Sequence, residues 1–164
     1  FDIVDTTKTI IKEYESLAKE KKISLDLDYS KLEKRNIYSD LNIVKDSIKN
    51  IIDVALSMTE SGYVAIRIQN PTEENCLRYG FEGHKPNSFV KIIVRDTGVG
   101  IPQEDMKYLC EPYAQLDKGK KNFTRALQLG TATIVIKRAN GIIDIRSEVM
   151  KGTKYTIILP IEKR

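Results

Sequence analysis

Two stretches of the chain place apolar residues at the three- and four-residue spacing of an amphipathic helix. The first covers residues 5–22, and Asp5 or Thr6 is suited to cap its N-terminus. The second and stronger stretch follows Ser39 or Asp40, either of which is suited to the same role. Its apolar positions are Leu41, Val44, Ile48, Ile51, Ile52, Ala55 and Met58. We therefore predict two helices, each with one buried face.

Five shorter segments alternate apolar and polar residues, as a half-buried β-strand does. They are residues 23–29, 63–69, 89–95, 142–147 and 153–159. The last two flank a turn at Lys151 and Gly152, which predicts an antiparallel hairpin. Residues 70–88 are polar and contain two prolines and two glycines, which favours an elaborated connection between two paired strands.

Two other segments are candidate helices. A short helix is predicted at residues 103–109, and the basic residues 118–122 after it are predicted to form a loop. Residues 126–139 are ambiguous by pattern alone, because they combine β-branched side chains with Gly130, which lowers helix propensity.

Length and charge narrow the class of protein. The 164 residues have the size of one domain, and no apolar stretch approaches the roughly 20 residues of a membrane-spanning helix. The start of the chain does not resemble a signal peptide, and we expect a soluble domain from a longer protein. The net charge is +4, but basic and acidic residues are interleaved, so neither a nucleic-acid partner nor direct membrane contact is expected.

The cysteines and the single histidine do not predict a site. Cys76 and Cys110 are far apart and lack CxxC spacing, so we interpret them as free, buried or partly buried thiols in a reducing compartment. His84 lies between Gly83 and Lys85, where an exposed loop residue is expected.

The segment after the third predicted strand carries the clearest chemistry. Asp96 ends an apolar strand, and Gly98 and Gly100 follow it in the sequence Asp-Thr-Gly-Val-Gly-Ile. A carboxylate fixed at this point accepts a hydrogen bond from the exocyclic amine of a purine, and glycines let the backbone approach a flat ring. An Asp-x-Gly sequence after a strand is by itself more often a simple turn.

Together with its surroundings, this loop resembles the first glycine box of the catalytic ATP-binding domain of bacterial sensor histidine kinases, the HATPase_c domain of the GHKL superfamily. The resemblance covers nearly the whole chain in order. Residues 1–3, 50–55, 110–113 and 141–159 are similar to the segment after the phosphoacceptor helices, the N box, the Phe-Glu-Pro-Phe segment and the closing hairpin.

This resemblance implies one domain over residues 1–164 with the α+β Bergerat or GHKL-type fold. In that fold a mixed, mostly antiparallel sheet forms a two-layer α/β sandwich with about three helices on one face. The resemblance also implies a lid-like loop at residues 114–125 and a helix, rather than a strand, at residues 126–139.

The N box differs from the family pattern Asn-Leu-Leu-x-Asn-Ala-x-Lys-Phe-Thr. Asn50 and Ala55 match it and are implied to lie in the nucleotide site, with Asn50 as the candidate catalytic residue. The second Asn of the pattern, which holds Mg²⁺, is Val54 here, and the phosphate-binding Lys is Ser57. Valine has no ligand oxygen, so no metal ligand is predicted and Mg²⁺ binding is expected to be weakened.

The second glycine box also differs. Its pattern Gly-Thr-Gly-Leu-Gly-Leu aligns with residues 124–129, where Ala126 and Gln128 add side chains at positions that wrap phosphates. Gly130 falls beyond the box in this register. Lys121 and Arg125 are candidate phosphate contacts in place of the missing groups, although basic residues in such a segment more often form a solvated loop.

The resemblance implies that Asp96 recognises adenine and that Gly98, Gly100 and Ile101 shape its pocket. Two functions follow: a degenerate kinase domain with weak or absent nucleotide binding that acts by docking, or an active one that uses MgATP to phosphorylate a histidine elsewhere. An ATPase of the Hsp90 or MutL type fits residues 1–3 and 111–112 less well.

The implied cofactors are ATP and Mg²⁺. The implied partners are a response regulator and the phosphoacceptor helix domain of the same protein or a partner subunit. A cytoplasmic setting is expected.

Overall fold

The computed structural model describes residues 1–109 and 123–161. Its helices are α1 (Ile3–Lys21), α2 (Leu41–Met58), α3 (Glu73–Arg78), α4 (Gln103–Leu109) and α5 (Phe123–Arg138). Its strands are β1 (Ile23–Asp28), β2 (Gly62–Gln69), β3 (Phe89–Asp96), β4 (Ile142–Glu148) and β5 (Gly152–Pro160). No helix in these two ranges is long and apolar enough to span a bilayer.

The strands form one sheet in the order β1-β2-β3-β5-β4. Strand β1 pairs in parallel with β2, and the remaining neighbours are antiparallel. Helices α1, α2 and α5 share one apolar core with the inner face of the sheet, including Ile10, Ile52, Ile92, Leu129 and Tyr155. The predicted mixed, mostly antiparallel sheet with helices on one face is confirmed.

Helix α2 crosses the inner face and determines where the site forms. Asp40 caps it, because its Oδ1 accepts hydrogen bonds from the backbone N–H groups of Asn42 and Ile43 at 2.9 and 3.2 Å. Its apolar stripe is buried from Val44 to Met58, and Leu41 in the first turn is exposed. The helix therefore delivers the Met58 carbonyl to the end of β3, where it accepts from Val99 N–H at 3.3 Å.

Helix α1 begins earlier than predicted. Its cap is Asp2, not Asp5 or Thr6, and Asp2 Oδ1 accepts from the backbone N–H groups of Val4 and Asp5 at 2.8 and 3.0 Å. Asp2 is held in place by an ion pair with Arg35 at 2.8 Å. That contact joins distant parts of the chain, so helical periodicity did not reveal it.

The connection at residues 70–88 contains helix α3 and a 3₁₀ turn at Pro86–Ser88, neither of which we predicted. Thr72 and Asn75 cap α3 reciprocally. Cys76, a buried free thiol as predicted, packs with Phe89 and Ile158 in a second apolar cluster on the outer face of the sheet. His84 is half-buried with its ring edge toward Phe89, rather than exposed as we predicted.

The ambiguous segment near residue 130 is a helix, as the resemblance implies. Helix α5 begins at Phe123, so residues 123–125 belong to its first turn and not to the predicted lid-like loop. Gly130 lies inside this helix. Lys121 and Cys110 lie outside the described residues, as do residues 114–122 of the predicted loop.

Candidate functional site

Asp96 is the centre of the site. It ends β3 and is 2% exposed. Its Oδ1 accepts hydrogen bonds from the backbone N–H groups of Gly98 and Thr153, at 2.9 and 3.1 Å. Its Oδ2 is buried and has no hydrogen-bond partner among the described residues. An unpaired buried acceptor is costly, and it is the arrangement that a ligand amine completes.

Burial raises the pKa of Asp96 above its ordinary value. The Gly98 and Thr153 N–H groups and the Tyr155 hydroxyl stabilise the carboxylate and partly oppose this rise. Burial and the Asp96 charge in turn raise the pKa of Tyr155, so this phenol stays protonated. The Tyr155 hydroxyl contacts Met58 Sδ at 3.8 Å. The carboxyl is therefore shielded from water, with the backbone N–H groups of Gly98 and Thr153 as its hydrogen-bond donors.

The loop after Asp96 packs between two backbones. A Cβ on Gly98 would overlap the Met58 carbonyl, and one on Gly100, where φ is +75°, would overlap the Glu148 carbonyl. Met150 N–H also donates to the Val99 carbonyl at 2.7 Å. These glycines shape the site by letting the loop fit between the end of α2 and the turn of the β4–β5 hairpin.

Ile101, Ser147 and Thr153 complete this end of the site. Ile101 N–H donates to Ser147 Oγ at 2.7 Å, and the hydroxyls of Ser147 and Thr153 are also 2.7 Å apart. Ser147 and Thr153 fall within the predicted hairpin, but the sequence pattern predicts no role for them or for Tyr155. The alternation of β5 was the available signal, because it places Thr153 and Tyr155 on one face of the strand.

Asn50 lies on α2, whose Met58 end contacts the loop after Asp96. Asn50 is half-buried in a groove of about 540 Å³ that Tyr14, Asp53 and Thr131 also line. It precedes Met58 by two turns of α2, which separates them by roughly 12 Å along the helix axis. Ala55 and Val54 lie between these ends and are fully buried. The structure thus brings together Asp96, Gly98, Gly100 and Ile101, with Asn50 at a distance.

The first turns of α5 are bonded to α2. Arg125 donates from Nε to Ser57 Oγ and from Nη2 to the Ser57 carbonyl, both at 3.1 Å. Gln128 Nε2 donates to Asp53 Oδ2 at 2.8 Å. These contacts join the segment aligned with the second glycine box directly to the N box.

The Asp96 end and the Val54 end of the candidate site differ in the ligands that they can hold. The unpaired Oδ2 of Asp96 fits the exocyclic amine of adenine. The position expected to hold Mg²⁺ is the buried Val54, which offers no oxygen, and the described residues contain no group of three or more His, Cys, Asp or Glu arranged for a metal. Val54 therefore supplies no ligand atom to Mg²⁺.

The fold and this site define an ATPase-type domain, and the sequence comparison identifies its class. The family described as histidine kinase-, DNA gyrase B- and HSP90-like ATPase, HATPase_c, matches residues 40–163, which is more than half of the chain. The chain belongs to this family.

The relatives that match the chain include sensor kinases. The sensor histidine kinase AtsR of Burkholderia thailandensis is 25% identical over 77% of this chain and 19% of its own length. The autoinducer 2 sensor kinase/phosphatase LuxQ of Vibrio vulnificus is 24% identical over 99% of this chain and 18% of its length. The chain therefore spans about a fifth of the length of these two curated relatives.

Solved structures share the fold. The catalytic domain of the histidine kinase ThkA, in a nucleotide-free form, aligns with a TM-score of 0.75 at 15% identity, covering 99% of this chain and 94% of that one. Full-length ShkA in complex with AMPPNP aligns with a TM-score of 0.78 at 17% identity, covering 100% of this chain and 31% of that one.

Proposed function

We propose that this chain is the ATP-binding domain of a sensor histidine kinase in which adenine recognition is kept and the grip on the magnesium triphosphate is weak or lost. It acts mainly by docking on the phosphoacceptor helix domain of its own protein or of a partner subunit, and through it on a response regulator, in the cytoplasm. The similarity to AtsR and LuxQ supports the kinase class.

The contacts between α5 and α2 are the observation that carries this proposal. Gln128 lies where the family has a glycine, Arg125 lies between two such positions, and both side chains bond to α2. Phosphates bind such a segment through backbone N–H groups that need clearance from side chains. Since Val54 is also buried beside them, the phosphate end is filled by the protein itself.

An active kinase domain is the second candidate, and Arg125 favours it. A guanidinium at the first turn of α5, bonded to Ser57, supplies a cation where the family has a lysine. In this case Asn50 orients the attacking group or a metal-bound water, and MgATP phosphorylates a histidine outside residues 1–164.

Calorimetric titration with ATP and ADP, with and without Mg²⁺, separates the two candidates. The first predicts weak binding, with a dissociation constant of about 100 μM or higher, that is similar for ATP and ADP and insensitive to Mg²⁺. Low micromolar binding of ATP that strengthens with Mg²⁺ overturns it in favour of the active kinase.

Restoring the family residues of the N box alone is expected to have little effect. In Val54→Asn/Ser57→Lys the affinity for MgATP should change by less than about threefold, because Arg125 and Gln128 still fill the phosphate end. Adding Arg125→Gly and Gln128→Gly should then raise the affinity by about tenfold or more, because it clears the backbone for the phosphates.

The matched control is Arg125→Gly/Gln128→Gly without the N-box changes, measured by the same titration. Circular dichroism checks that each variant folds, because an amide at the buried Val54 position costs stability. A tenfold gain from the N-box pair alone shows that α5 does not obstruct the site.

A further inference from the structure

Three cations form a row across the outer face of the sheet. Arg95 on β3 lies directly opposite Lys154 on β5, and Lys154 lies directly opposite Arg146 on β4. We call these three residues the cationic row. An open depression of about 440 Å³ lies against it. Like charges directly opposite each other on neighbouring strands are destabilising, so this arrangement has a cost.

The chain itself supplies little compensation for this cost. Arg146 contacts Asp144 at 3.2 Å, but Arg95 and Lys154 have no ion pair within the described part of the chain. Lys154 is half-buried, and its pKa is lowered by burial and then by Arg95 and Arg146, with Asp144 opposing them. The charges of Arg95 and Lys154 are therefore not neutralised by an ion pair within the described residues.

At the other end of the same face, the cation of Lys91 is covered by helix α3. Helix α3 packs Cys76 against Phe89 and Ile158, and its Asn75 Oδ1 accepts a hydrogen bond from Lys91 Nζ at 2.6 Å. Lys91 belongs to the same face of β3 as Arg95, four residues away. It has a cover and a partner from its own chain, whereas Arg95 and Lys154 have no ion pair within the described residues and Arg146 has only its pair with Asp144.

We propose that the cationic row is a docking surface for the acidic surface of another protein domain, whose carboxylates pair with Arg95, Lys154 and Arg146. This goes beyond the proposed function, because it holds whether or not the domain binds nucleotide. The planar guanidinium groups of the two arginines match carboxylates in a bidentate geometry. Neighbouring strands are about 4.8 Å apart, so a row of cations at this spacing presents several partners to one acidic segment.

The surroundings favour a protein over a continuous polyanion. Asp28, Asp144 and Glu148 lie on the same face and repel the uniform negative charge of nucleic acid or an anionic bilayer. The adjacent hairpin turn exposes Val149 and Met150, with 54% and 78% of their surface accessible. An apolar contact beside arginines is typical of protein interfaces.

The surface adjoins the candidate site, because Asp96, Ser147 and Thr153 also line the depression against the row. Arg95, Lys154 and Arg146 are adjacent in the chain to Asp96, Thr153 and Ser147, respectively. Those three site residues point to the inner face of the sheet. A partner bound to the outer face therefore contacts the same three strands that hold the adenine acceptor.

The test measures binding of a fluorescein-labelled octaglutamate peptide by fluorescence anisotropy. Wild-type protein should bind at 50 mM salt, and the affinity should fall as salt rises. Arg95→Glu/Lys154→Glu should weaken binding at least tenfold. Lys12→Glu/Lys34→Glu, which changes net charge equally at exposed positions on the helical side of the domain, should weaken it less than threefold.

Two results overturn the proposal. One is the absence of peptide binding by the wild type, or equal losses in the two charge-reversal variants. The other is row-dependent binding to phosphatidylserine vesicles without peptide binding, which identifies a membrane surface instead. Nucleotide titration is a separate measurement, so this proposal and the proposed function fail independently.

Thermal stability provides a second, independent test of the cationic row. Lys154→Thr removes the central charge and should raise the melting temperature by about 1–3 °C, because it relieves the repulsion across the row. A melting temperature that stays constant or falls contradicts the uncompensated charge on which the docking surface rests.

Discussion

Asp96→Asn is expected to abolish nucleotide binding while making the domain more stable. The amide oxygen still accepts the hydrogen bonds that Gly98 and Thr153 donate to Oδ1. The amide nitrogen replaces the unpaired Oδ2 and opposes the adenine amine with a second donor. Affinity should fall about 100-fold or more, because mismatched buried polar groups are heavily penalised. Calorimetry with ATP and ADP measures this loss.

The gain in stability from the same change follows from the raised pKa of Asp96. The unfolded chain releases this proton at lower pH than the folded one, so the carboxyl costs stability increasingly as pH rises from its ordinary pKa through the raised one. Asp96→Asn removes that cost, and its melting temperature should exceed that of the wild type by about 2–4 °C at pH 7. The difference should shrink toward zero below about pH 4.

Asp26→Asn, at an exposed position on β1, is the matched control and should alter neither property. Nucleotide affinity retained within threefold in Asp96→Asn places the adenine site elsewhere. A lower melting temperature in that variant shows that the charge of Asp96 is needed for the fold.

Gly100→Ala is expected to be among the most destabilising single changes in the domain. The added Cβ overlaps the Glu148 carbonyl, and the residue must also keep a φ of +75°. Together these effects cost about 3–5 kcal/mol, and the melting temperature should fall by roughly 10 °C. Thermal unfolding followed by circular dichroism measures the shift.

Gly80→Ala provides the control, because Gly80 has a similar φ of +81° and nothing within 4 Å of the added atom. It carries the conformational cost alone, about 1 kcal/mol, so its melting temperature should fall by only about 2–4 °C. Equal losses in the two variants would mean that the close packing of the loop on the hairpin contributes nothing.

The parts of the structure that could be predicted are those that local patterns encode. Helix α2 has a long apolar stripe, the strands alternate, and Asp96 stands at the end of one of them, so each was readable within about 20 residues of sequence. The helical state of α5 was not decidable in this way. It required the resemblance to a known family.

Contacts between distant segments could not be predicted. Asp2 caps α1 with the help of Arg35, and Thr153 donates to Asp96 across 57 positions of chain. Helix α3, with six residues, is too short for a periodic signal. The α2 to α5 contacts depend on how two helices pack, which no local pattern specifies.

The strand order has a consequence for how the domain acquires its site during folding. Strand β3 pairs with β5, and Val94 lies opposite Tyr155, so the middle of the sheet is closed by one of the last strands to be synthesised. Pairing across such a separation is slow to form, because loop closure precedes any gain from contacts. A nascent chain that lacks Gly152–Pro160 has no Thr153 N–H to fix Asp96, so the candidate adenine acceptor is in place only after β5 has paired.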